Sequence, residues 1–120
     1  RSKMRMLVAD DDEIAREAVA GLLEDRGHVV DRAKDGEDAL EALCHHDYDV
    51  IFMDLDMPKL NGLEVIMEAR KVGAIKGPVV VITGHDKLWT DDLSIIAKTI
   101  NKPMTPEMLD EALYEVGATP

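Results

Sequence analysis

The chain has 120 residues, 46% of them hydrophobic, enough to bury one core and too few for two domains of ordinary size. With 14 basic residues against 25 acidic ones, the formal charge of −11 opposes direct binding to nucleic acid or an anionic membrane and favours cations and basic protein surfaces. No apolar run approaches the roughly 20 residues that span a bilayer, and Arg1 to Arg5 lacks the apolar core of a signal peptide, so the chain reads as soluble.

Met6 to Ala9 is a short apolar run ending at Asp10 and Asp11, as expected of a buried parallel strand. Ala15, Ala18, Val19, Leu22 and Leu23 then follow a helical period, and Gly27 can end that helix in a left-handed conformation. His28 to Ala33 reads as the second strand, after which Asp35-Gly36 turns into a second helix with Ala39, Leu40, Leu43 and Cys44 inward. Cys44 is the only cysteine, which excludes an internal disulfide, and its neighbours Leu40 and Leu43 suggest a small buried hydrophobe rather than a redox group.

Val50 to Met53 is the third apolar run and ends at Asp54. Asn61-Gly62 opens a third helix carrying Leu63, Ile66, Met67 and Ala69, and Pro78 to Ile82 forms a valine-rich fourth strand ending at Thr83-Gly84. From Lys87 to Lys98, Trp89, Leu93 and Ile96 share a helical face with Trp89 expected in the core, and Thr99 to Asn101 can form only a brief fifth strand. Thr105 caps the last helix, with Pro106 at its first position and Leu109, Ala112, Leu113 and Val116 inward. Five strands alternating with five helices through short loops imply an α/β fold, a parallel sheet covered on both faces.

Ligands of such a sheet bind outside the carboxyl ends of the strands, and those ends carry Asp10 and Asp11, Asp54, Thr83 and Lys102. Two carboxylates about 4 Å apart repel by on the order of 4 kcal/mol at an effective dielectric of 20, so one is protonated or a cation bridges them. Oxygen ligands without nearby cysteine or imidazole favour a hard ion, Mg²⁺ before Ca²⁺, with Mn²⁺ as a substitute. Beside such an ion, Lys102 and Thr83 could hold the oxygens of a phosphoryl group in transfer to a central carboxylate. Any one acidic residue at a strand end is more simply a cap or a solvated loop; the convergence of all five points to chemistry.

From Met6-Leu7-Val8-Ala9-Asp10-Asp11 to the final helix the chain resembles the receiver domains of two-component response regulators. The most specific stretch is Val50-Ile51-Phe52-Met53-Asp54-Leu55-Asp56-Met57-Pro58 with Asn61-Gly62 beyond it. The resemblance implies a single doubly wound (βα)5 flavodoxin-like domain over residues 4–118, sheet order 2-1-3-4-5, in the cytoplasm. It also implies that Asp54 is the phosphoacceptor nucleophile, Asp11 a direct Mg²⁺ ligand, Asp10 a holder of metal-bound water and the Asp56 carbonyl the remaining protein ligand. Thr83 and Lys102 grip the phosphoryl group, as do the backbone amides of Asp56 and Gly84; the Lys102-Pro103 bond is of a kind often cis in the family. The implied partners are a histidine kinase or phosphotransfer protein upstream and a protein docking on the face of the fourth and last helices downstream.

The chain departs from the family pattern at three places. Thr99 stands where an aromatic residue is usual, only 19 positions separate Thr83 from Lys102, and Met104 replaces a common phenylalanine. The fourth helix is therefore expected to be shortened or irregular, and the usual switch through the fifth strand is in question. His85 and Asp56, each two positions beyond a site residue, could tune the lifetime of the acyl phosphate. Asp12 and Glu13 are expected at the start of the first helix, where negative charge suits the dipole. Adjacent His45 and His46 do not share a helical face and do not read as metal ligands. Two other functions compete: a receiver-shaped scaffold that is never phosphorylated, and a phosphatase, since Asp54-Leu55-Asp56 also resembles the nucleophile motif of haloacid-dehalogenase-type enzymes. The absence of an effector after the last helix suggests a stand-alone regulator or a receiver belonging to a longer chain such as a hybrid kinase.

Overall fold

The computed structural model describes residues 3–84 and 96–118. Five parallel strands, β1 (Arg5–Ala9), β2 (Val29–Ala33), β3 (Val50–Asp54), β4 (Val79–Thr83) and β5 (Ile96–Asn101), lie in the order β2-β1-β3-β4-β5. The helices among the described residues are α1 (Glu13–Asp25), α2 (Gly36–His45), α3 (Gly62–Lys71) and α4 (Pro106–Glu115). The expected sheet order and doubly wound α/β architecture are thus present.

Alternation along each strand divides the core in two. Leu7, Ala9, Ile51, Met53, Val79 and Val81 face α2 and α3, where Ala39, Leu43, Val65, Ile66 and Ala69 cover them. Met6, Val8, Val50, Phe52, Val80 and Ile82 face the other way, toward Val19, Ala20 and Leu23 of α1 and Leu109, Ala112 and Leu113 of α4. Every residue of β3 and β4 is buried, as central parallel strands require. Register ties the strand ends together: Ala9 lies beside both Ala33 and Met53, Asp54 beside Ile82, and Thr83 beside Asn101.

Each described helix starts on a side chain that accepts one of its free amides: Asp12 on α1, Asp35 on α2, Asn61 in a capping box with Glu64 on α3, and Thr105, followed by Pro106, on α4. Asp12 and Glu13 occupy the expected helix-start positions. Gly27, at φ 91°, closes α1 in the left-handed region.

Several packing expectations need correction. Cys44 is exposed, because Leu43 takes the inward position and the next residue points about 100° away. Met67 and Ala18 are also exposed, while Ala20 and Val65 are buried in their place. Ile96 belongs to β5 rather than to a helical face with Trp89 and Leu93. β5 is six residues long, with a register shift opposite Val79/Val80 that leaves Ala97 as an extra residue. As an edge strand with half its residues open to solvent, it carries no continuous apolar run to betray it. His85, Trp89, Leu93 and the expected fourth helix lie outside the described residues.

His28 is 6% exposed, its Nδ1 accepts the Met4 amide at 3.3 Å, and its Nε2 has no partner. Burial, then the nearby Arg26 charge, hold its pKa below the ordinary value, against the opposite pull of Asp49. The unfolded chain therefore takes up a proton that the folded state resists, and stability falls as pH drops through about 6.5. Asp54 has the opposite pH dependence in this range, so the His28 contribution is read as a difference: from pH 7.5 to 5.5, urea unfolding should show His28→Leu gaining stability relative to the wild type.

Candidate functional site

The carboxyl ends of β1, β3, β4 and the β5–α4 turn meet at one edge of the sheet. Asp10, Asp54 and Thr83 are buried there, Asp11 is exposed, and one carboxylate oxygen from each of Asp10, Asp11 and Asp54 lies within 4.8 Å of the others. Lys102 reaches the same cluster, its Nζ 3.3 Å from Asp10 Oδ2 and 3.6 Å from Asp54 Oδ2. The Lys102 amide donates to the Thr83 carbonyl at 2.8 Å, which ties the β5–α4 turn to β4, and the Lys102-Pro103 bond is cis.

Backbone contacts hold these side chains in place. The Asp10 amide donates to Ala33 of β2 at 3.1 Å, and Asp10 Oδ1 accepts the Asp12 amide at 2.9 Å. The Asp56 amide donates to Asp54 Oδ1 at 3.2 Å. The Gly62 amide donates to the Leu55 carbonyl at 3.0 Å, so the β3–α3 loop closes on itself. A Cβ on Gly62 would overlap the Asp54 carbonyl oxygen and crowd Leu55 Cα. Gly62→Ala is expected to cost about 1–3 kcal/mol, read from urea unfolding, because backbone rather than a movable side chain is in the way. Among the described residues, a Cβ on Gly84 would meet no atom within 4 Å.

Burial, reinforced by the Asp10 charge, pushes Asp54 up to about 7, against the Asp56 amide and Lys102, which favour the carboxylate. Lys102 moves upward as well: burial opposes its charge, but the carboxylates of Asp54 and Asp10 outweigh it. One ammonium therefore does not neutralise this cluster. An all-oxygen donor set, two carboxylates of it buried, is short of positive charge and suits a hard divalent cation. Among the described residues no other group of three or more histidine, cysteine, aspartate or glutamate side chains is arranged to hold a metal. His45 spends Nδ1 on the Glu41 carbonyl, and His46 packs edge-on against Tyr48.

Asp10, Asp11, Asp54, Thr83 and Lys102 are thus brought to one edge, with the Asp56 amide on the Asp54 carboxylate. Thr99 is exposed on β5 opposite Val81. Arg16 was not legible as a site neighbour: its Nη1 donates to the Asp10 carbonyl at 3.0 Å, but an arginine in the first turns of a helix reads equally well as a solvated charge. Beside the cluster a cavity of 420 Å3 runs along Ala15, Ala18 and Val19 to Pro103 and Met104.

The family model "Response regulator receiver domain" matches residues 6–114. The response regulator MprA of Mycobacterium sp. strain KMS is 36% identical over 115 residues, 96% of this chain and 50% of that protein. The sensory/regulatory protein RpfC of Xanthomonas campestris pv. campestris is 42% identical over 83 residues, 67% of this chain and 11% of that protein. The chain spans half or less of the length of these curated relatives. Among solved structures, chemotaxis response regulator CheY4 of Vibrio cholerae superposes with a TM-score of 0.86 at 28% identity, covering 96% of this chain and 99% of that one. Response regulator protein TrrA of Thermotoga maritima, solved in complex with Mg²⁺-BeF, gives 0.83 at 28% identity with the same coverage.

Proposed function

This chain belongs to the response regulator receiver domain family, and from that premise we propose that residues 4–118 form a cytoplasmic phosphoacceptor module that takes a phosphoryl group on Asp54 from a histidine kinase or phosphotransfer protein. The observation that carries the reading is a buried Asp54 set between two further aspartates and the Lys102 ammonium, 3.6 Å away. A purely structural acid would gain nothing from that crowding.

Asp11, Asp54 and the Asp56 carbonyl would hold Mg²⁺, or Mn²⁺ in its place, with Asp10 orienting water on it; when bound, the ion would supply positive charge to the carboxylates and to the phosphoryl oxygens. Asp54 attacks phosphorus through a carboxylate oxygen, and the new O–P bond forms as the N–P bond to the donor imidazole breaks. Lys102, the Thr83 hydroxyl and the amides of Asp56 and Gly84 take up the charge that develops on the phosphoryl oxygens. The same groups serve the slower hydrolysis, so the domain catalyses its own phosphorylation and dephosphorylation without being a turnover enzyme toward other substrates. A downstream protein partner docks on the face that includes α4.

Stoichiometry tests this reading. Incubated with acetyl phosphate and Mg²⁺, the protein should take up one phosphoryl group and lose it slowly, with negligible turnover of an aryl phosphate. Sustained multiple turnover of the ester would favour the aspartate-nucleophile phosphatase, and Mg²⁺ binding without labelling by any donor would favour a scaffold.

A further inference from the structure

Arg16 of α1 is the side-chain donor on the Asp10 carbonyl, at 3.0 Å, and is largely covered, its side chain 15% exposed. We propose that Arg16 is a positioning residue for the cation: it fixes the peptide between Asp10 and Asp11 and so sets where the Asp11 carboxylate points. The inference rests on the reading of Asp10 and Asp11 as the cation-binding pair.

Asp10 is held at every other polar atom. Its amide is bound to Ala33 of β2, Oδ1 accepts the Asp12 amide, and Oδ2 faces Lys102. Those contacts fix the strand end and the Asp10 side chain. They leave the rotation of the next peptide plane, on which the direction of the Asp11 Cα–Cβ bond depends, to whatever holds the Asp10 carbonyl. Arg16 supplies that hold from the helix, while the Asp12 carbonyl accepts the Arg16 amide at 2.8 Å, so the turn is tied to α1 at two points. Glu17, 3.7 Å from Arg16 Nε, also pairs with Arg32 of β2, a second contact on the Arg16 guanidinium besides the Asp10 carbonyl.

Groups that orient metal ligands from outside the ligand set typically change metal affinity by about 10-fold to 100-fold when removed. Arg16→Ala should raise the Mg²⁺ dissociation constant, measured by calorimetry on the unphosphorylated protein, by about 10-fold. The labelling rate at saturating Mg²⁺ should stay within about twofold, because Arg16 acts on the ligands and not on the transferring group. Arg16→Lys, which can still donate to the carbonyl, should recover part of the affinity. Arg26→Ala, which removes the Arg26–Asp110 pair joining α1 to α4, should lower the melting temperature and leave Mg²⁺ affinity unchanged. Should Arg16→Ala fail to fold, Arg16→Met, which keeps the length of the side chain without a donor, decides the matter by the same titration. Unchanged Mg²⁺ affinity in a folded Arg16 variant that cannot donate to the carbonyl overturns this inference alone. A wild type that fails to bind Mg²⁺ overturns the reading of the site, and this inference with it.

Discussion

Lys102→Ala is expected to slow phosphoryl transfer to Asp54 by about 10²- to 10³-fold, the usual effect of removing one preorganised donor from a site of charge development. The ammonium lies 3.3 Å from Asp10 and 3.6 Å from Asp54. A phosphoryl group on Asp54 would come within its reach. Its removal also strips a competing positive charge from the carboxylates, so Mg²⁺ affinity should hold or rise while the rate collapses. Labelling rates at several Mg²⁺ concentrations separate the two effects. A rate that extra Mg²⁺ restores would mean that Lys102 serves only to balance charge.

Asp54→Asn should stabilise the folded chain in metal-free buffer at neutral pH. A carboxyl raised from 3.8 to about 7 binds its proton more tightly in the folded state than in the unfolded one. Its contribution to stability is thus present below about pH 4 and lost as pH rises through about 7. Three pKa units correspond to on the order of 4 kcal/mol, and the asparagine amide, being uncharged, avoids that loss. Urea unfolding should find the variant little different from wild type near pH 4 and more stable by a few kcal/mol near pH 8. Added Mg²⁺ should narrow the gap by binding the wild type more tightly. A gap independent of pH would remove the electrostatic argument for a cation.

What the sequence made legible was the interior. Central strands buried on both faces must be apolar throughout, so Val50 to Met53 and Pro78 to Ile82 stood out, and an acidic residue at the end of such a run can only sit at the sheet's edge. That is why the sequence alone groups Asp10, Asp11 and Asp54. The edge was harder to read. β5 alternates exposed residues with half-buried ones, only Ile100 being fully buried, and carries a bulge at Ala97, so its apolar pattern reads shorter than the strand is and Ile96 falls in with the helical spacing of Trp89 and Leu93. Inward helix faces were right at Leu23, Leu43 and Leu109 but misplaced by one residue at Cys44 and Met67, since one position on a helix turns a side chain by about 100°. Arg16 left no signal, because its role depends on a backbone carbonyl that every residue possesses.

The most direct test is intact-protein mass after incubation with acetyl phosphate, with and without Mg²⁺, for the wild type and Asp54→Ala. A gain of one phosphoryl group, about 80 Da, that requires Mg²⁺ and is absent from the variant is the predicted result. Equal labelling of the variant, or labelling of the wild type that ignores Mg²⁺, would contradict the assignment of Asp54 as the phosphoacceptor in a cation-dependent site.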